Sequence, residues 1–165
     1  MPSVRPATLE DARALAPRLR KADLQEMQAL LAQPPETVLT ESVRDGTETY
    51  SIVADDGSVI GMFGIYHHPL MDPLEAAVWL LGSDALLSIK TDFLRGTLPY
   101  LHQFHLKYPF LWNVVDCRNE VHIRWLKRFG FMAIHKHERL GVEQRPFFEF
   151  VRIDNSPCVP SPQPV

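Results

Sequence analysis

The chain has 165 residues, 45% hydrophobic and 22% charged, which suits one domain with a core and is short for two. A net charge of −3 and a pI near 6.1 argue against broad binding to the nucleic-acid backbone, so we expect no nucleic-acid partner. Two cysteines, Cys117 and Cys158, fit neither a disulfide framework nor a zinc site, which indicates a reducing compartment such as the cytoplasm. The sequence contains no signal segment and no apolar run of membrane-spanning length, so we expect no membrane association.

The first third of the chain predicts one strand and two helices. Residues 3–7 are predicted as a strand, and Thr8 then has the character of an N-cap, with Asp11 at the capping-box position. Apolar residues at helical spacing follow. A second helix is predicted from Asp23 and ends at Pro34 and Pro35, because proline removes a backbone donor.

The remainder predicts alternating strands and helices. Residues 50–54 and 59–66 form a hairpin around an Asp-Gly turn, and residues 76–81 have the continuous apolar character of a buried strand. A long helix follows the Gly82-Ser83-Asp84 break. Strand 111–117, a helix over 120–129 closed by Gly130, and a hairpin of 131–138 with 147–153 complete the domain.

This order predicts a single mixed α/β domain over residues 1–153, with flanking helices and a mostly antiparallel sheet. The strand–helix–strand order in the middle predicts one parallel pair, 76–81 with 111–117. Because Pro109 limits the second of these strands, we expect the pair to splay and to open a wedge at the carboxyl ends. Residues 154–165 are proline-rich and are predicted to be a disordered tail.

Three segments carry a resemblance to the GNAT acyltransferase superfamily. VRPATLEDARALAPRLRKAD is similar to that family's first strand and helix, and DCRNEVHIRWLKRFGF to its asparagine-plus-helix motif. AAVWLLGSDALLSIKTDFL stands where the family has its acyl-CoA strand, turn and helix. The runs VWLLGSD, KYPFLWN and NEVHIRWLKRFGF also resemble the internal virion protein A group of T7-like podoviruses.

The GNAT resemblance implies a CoA thioester as acyl donor, acetyl-CoA in the usual case, and an amine as acceptor. Backbone N–H groups at a helix N-terminus would receive the CoA diphosphate. The turn here has one glycine and the acidic Asp84, so a simple helix start explains it equally well. The residues implied to contact the cofactor are Trp79, Leu80, Leu81, Gly82, Ser83, Asp84, Ala85 and Asn119.

The same resemblance implies a base that deprotonates the incoming amine. Glu75, just before the central strand, is the first candidate, and His68 is its rival because imidazole titrates near neutrality. Leu126 stands where the family often has a tyrosine that reprotonates the CoA thiolate. His135 and His137 share a strand face, but no sequence pattern supplies a third ligand, so no metal site is predicted.

Two functions therefore remain open. The first is an acyltransferase that moves an acetyl group from CoA to an amine, with Glu75 or His68 as base. The second is a GNAT-fold phage protein without catalysis that binds a phage or host protein, for example in virion assembly. The altered turn and Leu126 favour the second, while the overall pattern fits both; the acyltransferase is the first expectation, because the fold argument is strongest there. The acceptor and the oligomeric state are not fixed by the sequence.

Overall fold

The computed structural model describes residues 2–154, apart from the side chain of Lys90, so the predicted tail lies outside the described residues except for its first residue, Asp154. The strands are β1 (Ser3–Pro6), β2 (Glu48–Val53), β3 (Val59–Tyr66), β4 (Glu75–Gly82), β5 (Phe110–Asp116), β6 (Met132–Leu140) and β7 (Arg145–Ile153). The α-helices are α1 (Leu9–Leu15), α2 (Lys21–Leu30), α3 (Pro35–Asp45), α4 (Lys90–His105) and α5 (Glu120–Arg128).

All seven strands form one sheet in the order β1-β2-β3-β4-β5-β7-β6. Every neighbouring pair is antiparallel except β4 and β5, which are parallel and are connected through α4. This is the mixed α/β sheet that the sequence predicts. One buried cluster contains α4 and α5 residues such as Phe93 and Trp125, and a second contains α1 and α3 residues such as Leu15 and Leu39.

The start of α1 has the predicted capping box. Thr8 Oγ1 accepts from the N–H of Asp11, and Asp11 Oδ2 accepts from the N–H of Thr8. These two bonds satisfy donors that a helix N-terminus leaves without partners. Gly130 follows α5 with a φ of +82°, as the sequence predicts for the residue that closes that helix.

Several helical boundaries differ from the sequence prediction. α2 starts before the predicted Asp23 and ends at Leu30, before Pro34 and Pro35 are reached, and Pro35 begins α3, a helix that the sequence analysis missed. Proline is well suited to the first helical position because the N–H it lacks would have no helical partner there. After β4 the chain forms a 3₁₀ helix over Asp84–Ile89, and the predicted long helix, α4, starts only at Lys90.

Candidate functional site

The parallel pair at the centre of the sheet is splayed. β4 and β5 pair at three positions, Glu75–Phe110, Ala76–Leu111 and Ala77–Trp112, which are all at their amino-terminal ends. The remaining parts of the two strands, 78–82 and 113–116, separate from one another. We call the space between these unpaired parts the wedge. Open α/β sheets bind ligands outside the carboxyl ends of parallel strands, so the predicted wedge is the first candidate site.

Side chains from both flanking helices fill the interior of the wedge. The Phe93 ring of α4 lies 5.0 Å from Trp125 and 5.7 Å from Phe129, measured between ring centroids. Leu126, at the position where the family often has tyrosine, is buried in the same cluster. The free space that remains between β4, β5, α4 and α5 is a cavity of about 60 Å³. Direct packing of α4 on α5 therefore leaves little room inside the wedge.

The β4 side of the open end is bound by the start of α2. The N–H of Gly82 donates to Asp23 Oδ2 at 2.9 Å, and the N–H of Arg20 donates to the Gly82 carbonyl at 2.8 Å. The Arg20 guanidinium makes two bonds to the Asp23 carboxylate, at 2.6 and 3.1 Å, and lies over the Trp125 ring. Asp23 has no solvent exposure. A buried carboxylate is tolerated here because it is paired with a cation and hydrogen-bonded.

The β5 side of the open end is bound by Glu26 of α2. The N–H of Asp116 donates to Glu26 Oε2 at 2.9 Å. Asn119, which is 1% exposed, donates through Nδ2 to both Asp23 and Glu26, at 3.0 and 3.3 Å. His122 Nδ1 lies 3.5 Å from Glu26 Oε1 and is buried without a hydrogen-bond partner. The predicted cofactor residue Asn119 thus connects two protein carboxylates and also caps α5.

Asp116 carries a second charged contact at this end. Arg118 donates to its carboxylate through Nη2 at 2.6 Å and through Nε at 3.0 Å. Burial alone would raise the pKa of Asp116, but the hydrogen bonds from Arg118 outweigh burial and lower it. Asp116 is therefore held at the open end of the wedge by a charge-assisted pair with Arg118.

The predicted phosphate turn, residues 82–85, is partly engaged as well. Ser83 is buried, and both its N–H and its hydroxyl donate to the Ile60 carbonyl, at 2.9 and 3.1 Å. A Cβ at Gly82 would lie 2.1 Å from Leu86 Cδ1, so glycine is required by close packing of the chain on itself. Asp84 and Ala85 are exposed. Of the predicted phosphate donors, Gly82 and Ser83 already bind protein acceptors.

These observations test whether the wedge suits the CoA thioester that the fold family implies. At the carboxyl ends of β4 and β5, Asp23 and Glu26 already bind the backbone N–H groups of Gly82 and Asp116, so neither group is free for a ligand. Two backbone donors at the open end of the wedge are thus already bound within the protein, and this opposes a CoA diphosphate at that end.

The remaining predicted residues lie in several places. Glu75 begins β4 at the paired end and is half-buried, and its carbonyl accepts from His67 Nδ1 at 2.8 Å. His68 is exposed in the loop after β3, where its Nδ1 accepts from the N–H of Leu70. Leu80 faces the wedge cluster, whereas Trp79 and Leu81 belong to the opposite cluster with α1 and α3. Trp79 and Leu80 line the wedge cavity, and Gly82 and Asn119 both bond to Asp23 at its open end, whereas Glu75 and His68 lie away from them.

A wide groove lies on the sheet face opposite α4 and α5. It has a volume of about 670 Å³, and its apolar lining includes Leu31, Phe110 and Trp112. Two carboxylates, Glu75 and Glu149, also line it. We call this feature the β5–β7 groove; its lining residues are Leu30, Leu31, Glu75, Phe110, Trp112, Val114, His137, Leu140, Glu149 and Val151.

The polar groups of the groove include one that sequence reasoning missed, Glu149. His137 Nε2 and Glu149 Oε2 lie 2.8 Å apart, and the Trp112 indole N–H is buried without a hydrogen-bond partner. The sequence showed that His135 and His137 share one face of a strand, but it did not show that Glu149 on β7 lies beside His137. Within residues 2–154, no group of three or more His, Cys, Asp or Glu side chains is arranged to hold a metal ion.

Solved structures resemble this fold closely, although sequence comparison finds little. No family model and no curated protein matches the sequence. An N-acetyltransferase from Staphylococcus aureus Mu50 superposes with a TM-score of 0.70 at 14% identity, covering 93% of this chain and 98% of its own. A GNAT-family acetyltransferase from Bacillus anthracis gives 0.69 at 8% identity, covering 93% and 95%.

A ribosomal-protein-S5-alanine acetyltransferase from Vibrio fischeri gives a TM-score of 0.68 at 13% identity, covering 93% of each chain. The fold is therefore that of the GNAT acetyltransferases, in agreement with the resemblance seen in the sequence. Within the described residues, no helix has the length and apolarity needed to span a bilayer.

Proposed function

We propose that this chain is a GNAT-fold recognition protein that binds a segment of another protein in the β5–β7 groove and does not transfer acyl groups. The observation that carries the proposal is the contrast between the two sites on the sheet. The open end of the wedge is bound by α2 and its interior is filled by α4 and α5, while the groove is open and has both apolar and acidic walls. A fold alone does not define an activity, so the sites must decide it.

The chemistry of the groove favours a segment that carries lysine or arginine among apolar residues. Phe110 is 40% exposed and Leu31 is 45% exposed, which leaves apolar surface for a partner to cover. Glu75 and Glu149 are acidic, and the groove lining contains neither lysine nor arginine. The resemblance to internal virion protein A favours a phage or host protein as the source of the segment.

Selection of peptides from a random displayed library tests this proposal. We expect enrichment of peptides that combine aliphatic residues with lysine or arginine, because only such peptides match the groove in both respects. Glu75→Lys should weaken binding of the selected peptides at least about tenfold, which corresponds to about 1.4 kcal/mol. Glu41→Lys, an equal charge change at an exposed site on α3, is the matched control and should leave binding unchanged.

Either of two results would refute the groove as the binding site. One is the enrichment of no peptides, or of peptides without cationic residues. The other is equal weakening by Glu75→Lys and Glu41→Lys, which would mean that only the net charge of the protein matters.

The second candidate function is the acyltransferase reaction, with acetyl-CoA as donor, an amine as acceptor, and Glu75 or His68 as base. The retained splay of β4 and β5 and the shared fold favour it. It requires that the protein bind acetyl-CoA, which the placement of Asp23 and Glu26 opposes. The two candidates therefore differ in a property that can be measured directly.

A further inference from the structure

We infer that α2 keeps the wedge open. The carboxylates of Asp23 and Glu26 hold β4 and β5 apart, because they bind the N–H groups of Gly82 and Asp116, which the splay leaves without strand partners. This inference concerns the protein's own hydrogen bonds and is independent of what the β5–β7 groove binds. It explains how a splayed pair persists when its carboxyl ends have no ladder between them.

The direction of the backbone groups identifies which N–H groups need such a partner. On β4, the Ser83 N–H points toward β3 and donates to Ile60, so the groups of Gly82 point the other way, into the wedge. On β5, the Cys117 N–H points toward β7 and donates to Pro146, so the Asp116 N–H also points into the wedge. Unpaired strand donors of this kind are costly when buried.

The two N–H groups at the carboxyl ends of the strands, those of Gly82 and Asp116, both donate to α2. Gly82 donates to Asp23 at 2.9 Å, and Asp116 donates to Glu26 at 2.9 Å. These two carboxylates lie one helical turn apart on the same face of α2, so a single rigid element reaches both strands. Asn119 bonds to both carboxylates and thereby fixes the spacing between them.

The residues directly before α2 also bind the end of β4. Leu19 and Ser83 form an isolated antiparallel bridge, and the Arg20 N–H donates to the Gly82 carbonyl. Both backbone groups of Gly82 are thus bound by residues 20–23. The segment from Leu19 to Glu26 replaces, at the wedge, the contacts that a neighbouring strand makes elsewhere in the sheet.

Chemical rescue tests whether Asp23 and Glu26 act as ligands of these N–H groups. Asp23→Ala should lower the Tm by about 10 °C, because it leaves a buried donor and the Arg20 charge unpaired. Sodium acetate supplies a free carboxylate and should raise the Tm of this variant by several degrees over sodium chloride at equal ionic strength. Glu26→Ala should respond in the same way and serves if Asp23→Ala does not fold.

Leu15→Ala is the matched control, because it destabilises the core without unpairing a donor. Acetate should leave its Tm, and that of the unaltered protein, unchanged. The inference is overturned if acetate fails to stabilise the alanine variants, or if it stabilises Leu15→Ala equally.

Hydrogen exchange on the unaltered protein gives a second test that needs no variant. The amides of Gly82 and Asp116 should exchange as slowly as the paired amides of β3, without any added ligand, because α2 already binds them. Fast exchange at both amides would contradict the inference, since it would mean that the open end of the wedge is free.

Discussion

Asp11 shows how much a single side chain contributes near the N-terminus. Its carboxylate accepts two bonds from Arg5, at 2.6 and 2.8 Å, one from the Thr8 N–H and one from the Ser51 hydroxyl. Burial opposes ionisation, but these hydrogen bonds outweigh it and lower the pKa of Asp11 to about 2. The capping box was predictable from the sequence, because its two partners are three residues apart. The bond to Ser51, 40 residues away, was not.

The lowered pKa of Asp11 predicts a specific acid sensitivity. The unfolded state binds the proton more tightly, so this contribution is complete above about pH 4 and is lost as the pH falls toward 2. It amounts to at most about 2 kcal/mol, because the partner Arg5 is 44% exposed and partly screened. Asp11→Asn should therefore cost stability at pH 7 and much less at pH 2, as measured by urea unfolding. An equal cost at both pH values would contradict this assignment.

At the scale of elements, α2 binds the open end of the wedge, a role that the sequence analysis did not predict. Asp23 and Glu26 look in the sequence like the solvated polar face of a helix. Their partners Gly82 and Asp116 are 59 and 90 residues away, and no local pattern records such distances. The strands were found because alternation and apolar runs are local signals. α3 was missed for a different reason, because the two prolines were taken only as a stop although proline also suits the first helical position.

The turn between β6 and β7 packs against the end of α2. Gly141 has a φ of +71°, and a Cβ there would lie 2.4 Å from the Ala29 carbonyl oxygen. Glu143 donates its N–H to the same carbonyl at 3.1 Å. Gly141→Ala should therefore destabilise the protein by more than about 1 kcal/mol, through both backbone strain and this clash. Gly57→Ala has a similar φ of +83° but open space around it, and it should cost clearly less in thermal unfolding. Equal losses would mean that packing on α2 is unimportant.

At the scale of the whole molecule, the element order predicted a mixed α/β sheet with one splayed parallel pair, and the resemblance of three segments added the GNAT fold. The mostly antiparallel sheet and the three paired positions of β4 and β5 agree with these predictions. The function could not be predicted in the same way, because the order of strands and helices does not determine which side chains contact the strand ends. The wedge and the β5–β7 groove differ for that reason. At the wedge, α2 binds the ends of β4 and β5, whereas the sheet face at the groove is left uncovered.

Calorimetric titration of the full chain with acetyl-CoA tests the central claim most directly. The account predicts no saturable heat, because Asp23 and Glu26 bind the wedge donors and α4 packs on α5. Asp84→Asn removes an exposed charge from the predicted phosphate turn, and it should not create binding, since the wedge remains occupied. Saturable binding by the unaltered protein, tightened by Asp84→Asn, would contradict the account and would support the acyltransferase function instead.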